Sequence, residues 1–363
     1  MSATILTRPT FNARGSFADT VPAVHRTPLR QAAVWPVGDR PPEPDAGHGD
    51  PGFRLGWEHA RHGVLPPTEH LLPMSPVRQG WESGRRAFAG RTRVADVAVH
   101  QWLHLNQRAW LDGAGIDAVQ VAPAFLRRIA AGACPVTRED FGKVQPAPMA
   151  VWHEAGCVAG NLALLSPRAA RVLARVDARS AIAQADSMAG DDVHAGLTTR
   201  EWARLATLLS FVTPLPHGLV AGRAMPLLPP PRLRLLNPAQ GLQCLIGLQA
   251  PGAGQARRDG LLAALMPHAE ARYALADLQS TMLARRKAPA RAGDLRAQRE
   301  AIEDLWTDGL VHRRWQRLVS RLSEADCESI VRVAVARGAA GDRVQWLPAT
   351  AATDGWGSGA ACA

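Results

Sequence analysis

Apolar residues recur at helical spacing over much of the chain. Val94, Val97, Ala98, Trp102, Leu105 and Ala109 share one face of a 3.6-residue repeat, and Gly113 stops the run. Pro123 to Ala131 predicts a second short helix with Phe125, Leu126 and Ile129 inward. Pro167 suits a first helical turn, where its missing N–H costs nothing, and that helix is expected to run to about Ala185. Thr198 and Glu201 form a capping box ahead of Trp202, Leu205, Leu208 and Leu209. Pro214, Pro216 and the Pro-rich tract 226–238 interrupt regular structure, and Pro238 to Gln249 starts another helix. Leu261 to Leu283 and Arg296 to Arg321 predict long helices, with Pro267 delaying the first. Ser323 and Asp326 open a last helix, closed by Gly338.

Two segments depart from this pattern. Residues 1–52 are rich in Pro, Gly and charge with little periodicity, which predicts an irregular or disordered arm. Between Cys134 and Arg171 the apolar runs are short and flank a Gly-rich turn. The expected fold is therefore mainly α, a multi-helix protein with a small central ββα unit and a Pro/Gly-rich N-terminal arm. The expected divisions are 1–52 arm, 53–133 helical region, 134–185 ββα unit, 196–340 helical domain and 341–363 flexible tail.

The central segment reads CPVTREDFGKVQPAPMAVWHEAGCVAGNLALLSPRAAR. A Cys-Pro-x-Thr start, a Phe seven residues after the Cys, the Gly156-Cys-Val-Ala-Gly160-Asn161 turn, an apolar run and Ser166-Pro167 follow one another. This order resembles the ββα core of the HNH endonuclease family, over roughly a tenth of the chain. The resemblance implies two strands, a helix against DNA, and a base with metal ligands on the first strand and the helix. Aligned on Gly156, Gly160 and Asn161, the family's Asp-Arg or Asp-His pair falls on Met149 and Ala150, and its helix Asn or His on Ala170. Met and Ala neither activate water nor bind a divalent cation. Asn161 is assigned to bracing the turn backbone.

His153 and Glu154 are the weak catalytic candidates, set some 7 Å along from the vacated strand positions. Cys134 and Cys157 lack the paired spacing of a zinc site, so Cys134 is expected to be a packing residue. His100 and His104 form an i, i+4 pair without the Glu or third ligand of a zinc protease. Arg168, Arg171, Arg175 and Arg179 are spaced three, four and four, a stripe suited to successive phosphates if one helix carries them. Trp306 and Trp315 stand among arginines, a pattern that serves base stacking but also fits an amphipathic core helix. No phosphate-binding Gly loop or G-x-S-x-G elbow occurs.

The 363 residues carry a net charge of +10, which favours a polyanionic partner. Lys occurs only at Lys143 and Lys287, and this Arg bias among many Ala, Gly and Pro is that of a GC-rich bacterial genome, which weakens the inference. Five scattered cysteines form no disulfide framework, and no apolar run approaches the ~20 residues of a membrane span. The expectation is a cytoplasmic protein that binds DNA or RNA through phosphates without cleavage and without a cofactor. A divergent nuclease using a divalent metal is the enzymatic alternative. An assembly subunit with protein partners on its N-terminal arm or helical domain is the third.

Overall fold

The computed structural model describes residues 49–249, 255–286 and 294–338, Glu43, and two strand fragments at 33–34 and 345–346. The expectations of an irregular arm and a flexible tail fall almost wholly outside them. Within those stretches, β1 (Ala33–Val34) is a paired strand and so is the fragment Gln345–Trp346.

The N-terminal part is helical. Asp50 caps α1 (Pro51–Arg61) by accepting from the backbone N–H groups of Gly52 (2.7 Å) and Phe53 (3.1 Å). Against it lies α2 (Pro76–Phe88), which leads through a tight reversal to β2 (Arg91–Thr92), parallel to β1. The two helices meet backbone to backbone. A Cβ on Gly80 would stand 1.9 Å from the Phe53 carbonyl oxygen, and one on Gly56 1.9 Å from that of Val77, so only glycine fits at either place. Next come α3 (Val97–Leu111), capped by Asp96, and α4 (Pro123–Ile129).

The central unit holds β3 (Ala147–Ala150), β4 (Leu162–Leu165), α5 (Pro167–Leu173) and α6 (Ala178–Ser187). A hairpin of β5 (Val193–His194) and β6 (Leu197–Thr198) precedes α7 (Thr199–Val212), whose Thr198–Glu201 capping box is formed. Then follow α8 (His217–Val220), β7 (Arg234–Leu235), α9 (Pro238–Gln249), α10 (Gln255–Leu265), α11 (Ala269–Arg285), α12 (Leu295–Leu305), α13 (Gly309–Val319) and α14 (Glu324–Ala336). β8 (Gln345–Trp346) closes the order, parallel to β7. The protein is mainly helical, and the sheets among the described residues are all two-stranded.

Three expected helices are broken, each by a local competitor for the helix backbone. Asp177 accepts from the Ser180 N–H at 2.7 Å and starts α6, so the run from Pro167 is not one helix. Asp308 accepts from Leu310 and Val311 and separates α12 from α13. Pro267 and His268, whose ring accepts from the Ala271 N–H, separate α10 from α11. Asp side chains offer N–H groups an alternative partner and so favour caps over helix interiors.

One apolar core runs from Cys134 to Ala334, so the 134–185 unit and the helices after 196 share an interior. Trp306 and Trp315 are fully buried in it, edge to face at 5.8 Å, and the Trp315 indole donates to the Ala221 carbonyl at 2.7 Å. Neither presents a face for stacking on bases. No helix among the described residues is long and apolar enough to cross a membrane.

Candidate functional site

The segment from Cys134 folds as strand, turn, strand and helix. β3 and β4 are antiparallel, with Ala147 opposite Leu165 and Ala150 opposite Leu162. Asn161 is completely buried and braces the turn. Its Oδ1 accepts from the Trp152 N–H (2.9 Å), and its Nδ2 donates to the carbonyls of Trp152 (2.7 Å) and Gly156 (2.8 Å). Gly160 has φ +91°, and a Cβ there would lie 2.5 Å from Arg234 Cγ. Both the conformation and the crowding demand glycine.

The hairpin is covered on both faces. Leu162 and Leu164 pack with Phe125, Leu126 and Ile129 of α4 and with Leu105 of α3. The alternate residues Ala163 and Leu165 face the main core with Ala169, Ala170 and Leu173 of α5. Met149 is 4% exposed and Ala170 9%. Arg108 Nη1 reaches the Met149 sulfur at 3.4 Å. Met149 and Ala170 are thus packing positions, and Ala150 beside them is half-buried.

The Cys-Pro-x-Thr turn is a structural knuckle. The Arg138 N–H donates to the Cys134 carbonyl (2.9 Å), the Thr137 N–H approaches the buried Cys134 sulfur (3.5 Å), and Thr137 Oγ1 meets Ser166 Oγ (3.0 Å). Ser166 in turn caps α5. Cys134 and Cys157 are free, buried and in different apolar clusters; burial pushes the Cys157 thiol up to about 11.

A charged clamp ties this knuckle to α12. Arg138, itself at φ +60°, donates to Asp304 (2.7 Å) and Glu303 (3.2 Å). Arg296 donates to the Arg138 carbonyl (2.7 Å), and Arg299 pairs with Glu303 at 2.9 Å. Burial holds the Glu303 carboxyl above the usual range, against Arg299, the Leu228 N–H at 3.1 Å and Arg138. Sequence analysis did not single out this clamp. Its only local signal is the pair of i, i+4 charge matches on α12, Arg296–Glu300 and Arg299–Glu303.

The arginine stripe is not a stripe. Arg168 turns inward to a fork on Glu201, Nη2–Oε1 2.6 Å and Nη1–Oε2 3.2 Å, with Glu139 at 3.5 Å. Arg171 is on α5, Arg175 between the helices and Arg179 in the first turn of α6. All three are exposed, and none has a carboxylate partner among the described residues. His153 and Glu154 are exposed in a 3-10 turn, and His153 Nε2 donates to the Leu173 carbonyl at 3.3 Å, capping the end of α5. His100 and His104 are exposed on α3. Among the described residues no three His, Cys, Asp or Glu side chains are grouped to hold a metal ion. No protein-family model, curated protein or solved structure matches the chain.

Proposed function

We propose that the chain is a non-catalytic nucleic-acid-binding protein built round a degenerate HNH-like unit. The observation that carries this reading is the contrast within one short segment. The positions of the family's chemistry hold buried Met149 and Ala170, while Arg171, Arg175 and Arg179 stand exposed and unmatched by acid among the described residues. Arg168, spent on Glu201, is a positioning residue for α7 and not a contact. The unit serves as a rigid hub, and the remaining guanidiniums meet phosphates without reading bases. These three contacts to duplex DNA contribute about −2.7 to the slope of log K against log salt. Fluorescence anisotropy across a salt series measures this. Absence of binding at low salt sinks the reading.

Metal-dependent cleavage is not expected, because His153 is engaged with the end of α5 and offset from the vacated positions. Plasmid incubated with Mg²⁺, Mn²⁺ or Zn²⁺ stays intact; cleavage lost in His153→Ala would favour the nuclease alternative. An assembly role has one observation in its favour. Among the described residues, seven of the eleven exposed large hydrophobic side chains, from Leu65 to Val119, fall in the N-terminal helical part. Sedimentation with and without DNA separates self-association from nucleic-acid binding.

A further inference from the structure

We infer a second phosphate-binding surface at the reversal between α2 and β2, with the backbone of duplex DNA as its ligand; this rests on the nucleic-acid reading above. From Arg78 to Arg93 five arginines meet one acid, Glu82. Arg85, Arg86, Arg91 and Arg93 bracket the reversal, two before it and two after, and all four are exposed.

The reversal is rigidly mounted. Phe88, 2% exposed, packs edge-on to Trp57 at 5.3 Å and pins the last turn of α2. Ala89 (φ +48°) and Gly90 (φ +79°) then turn the chain through left-handed backbone. A non-glycine residue there is uncommon and is held by its surroundings. The Arg93 N–H donates to the Arg61 carbonyl at 2.8 Å, which fixes the far side to the end of α1. Arg85 and Arg86 on the last turn of α2, and Arg91 and Arg93 beyond the reversal, thereby stand on one anchored segment.

The charges of Arg85, Arg86 and Arg93 are poorly compensated. Arg127, Arg223 and Arg314 elsewhere each hold a carboxylate within 2.9 Å. Arg85, Arg86 and Arg93 have no carboxylate partner among the described residues. Arg85 instead lies 4.7 Å over the Trp81 ring, and Arg86 bonds the Ser83 hydroxyl. Glu58, the acid beside Arg93, is already engaged by Arg61 at 3.0 Å. Cations in the last turn of α2 suit the helix dipole, which accounts for Arg85 and Arg86. It does not account for Arg93, which lies beyond the helix. Arginines this close in sequence, with one acid among them, suit a polyanion with closely spaced phosphates.

The test compares two triple variants of the full chain on a labelled duplex: Arg85→Gln/Arg86→Gln/Arg93→Gln, and Arg171→Gln/Arg175→Gln/Arg179→Gln. Near-UV circular dichroism checks the fold, and the single Arg86→Gln guards against a triple that unfolds. The turn triple is expected to lower the magnitude of the salt slope by about 2.7, and the single variant by about 0.9, on all sequences alike. If the wild type binds and both turn variants keep its slope, this inference falls while the nucleic-acid reading stands. If the turn triple loses slope and the other triple does not, the inference stands and the contacts assigned to the α5–α6 region fall. If the wild type does not bind duplex DNA, both fall.

Discussion

Replacing Asn161 tests whether the central unit is the hub of the fold. The side chain is fully buried and makes bonds of 2.7, 2.8 and 2.9 Å to the backbone of its own turn. Each such bond contributes about 1 kcal/mol net, and each buried group left unpaired costs about 1–3 kcal/mol. Asn161→Ala removes three bonds at once and takes the side-chain partner from the Trp152 N–H and the two carbonyls. A loss of about 3–5 kcal/mol follows, a large part of the ~5–15 kcal/mol that holds a domain together. Asn161→Asp keeps an acceptor for Trp152 but turns a carboxylate toward two carbonyl oxygens. Its folded pKa is raised by that repulsion and by burial, so the folded state binds the proton more tightly. Its deficit therefore exceeds that of the Ala variant at neutral pH and shrinks as the solution is acidified. Urea unfolding followed by Trp fluorescence measures both variants. An Ala variant within about 1 kcal/mol of wild type, at an unchanged slope of free energy on urea, would refute the reasoning.

Acid should loosen the N-terminal helices first. Burial lowers His59 and His62 to about 4 from 6.5, so the unfolded chain takes up protons first and stability falls as pH drops from 6.5 toward 4, by on the order of 3 kcal/mol for each. Glu58, raised chiefly by burial, works in the opposite sense near its own range, and His59→Gln should flatten the upper part of the curve. Gly80→Ala puts its methyl 1.9 Å from the Phe53 carbonyl and should cost about 1–3 kcal/mol, whereas Gly260→Ala in α10, with nothing within 4 Å, should gain up to about 1 kcal/mol; equal melting shifts would refute the crowding. Glu303→Gln leaves Arg138 and Arg299 without their buried carboxylate and should cost about 3–5 kcal/mol by chemical unfolding, while a loss below about 1 kcal/mol would make the clamp incidental.

What was legible in the chain was local. The hairpin pairing, the helix start at Pro167 and the capping boxes at Thr198 and Ser323 depend on neighbours a few residues away. The breaks at Asp177 and Asp308 are also local, yet apolar periodicity continues across them and masks a single capping residue. The inward turn of Arg168 was not legible, since its partner Glu201 lies 33 residues on and spacing alone marks both as surface charges. The same limit hid the clamp. It also hid the covering of the hairpin's second face, because β4 reads as one continuous apolar run whichever side is packed.

The clamp also orders events during synthesis. Arg138 and Glu303 are 165 residues apart. At ~5–20 residues per second the ribosome delivers α12 roughly 8–33 s after the knuckle has been made. Until then Arg138 and the exposed underside of the hairpin lack their partners, and the central unit waits half-built for its C-terminal half. A fragment ending before α12 should therefore be a client for chaperones rather than a smaller version of the same protein.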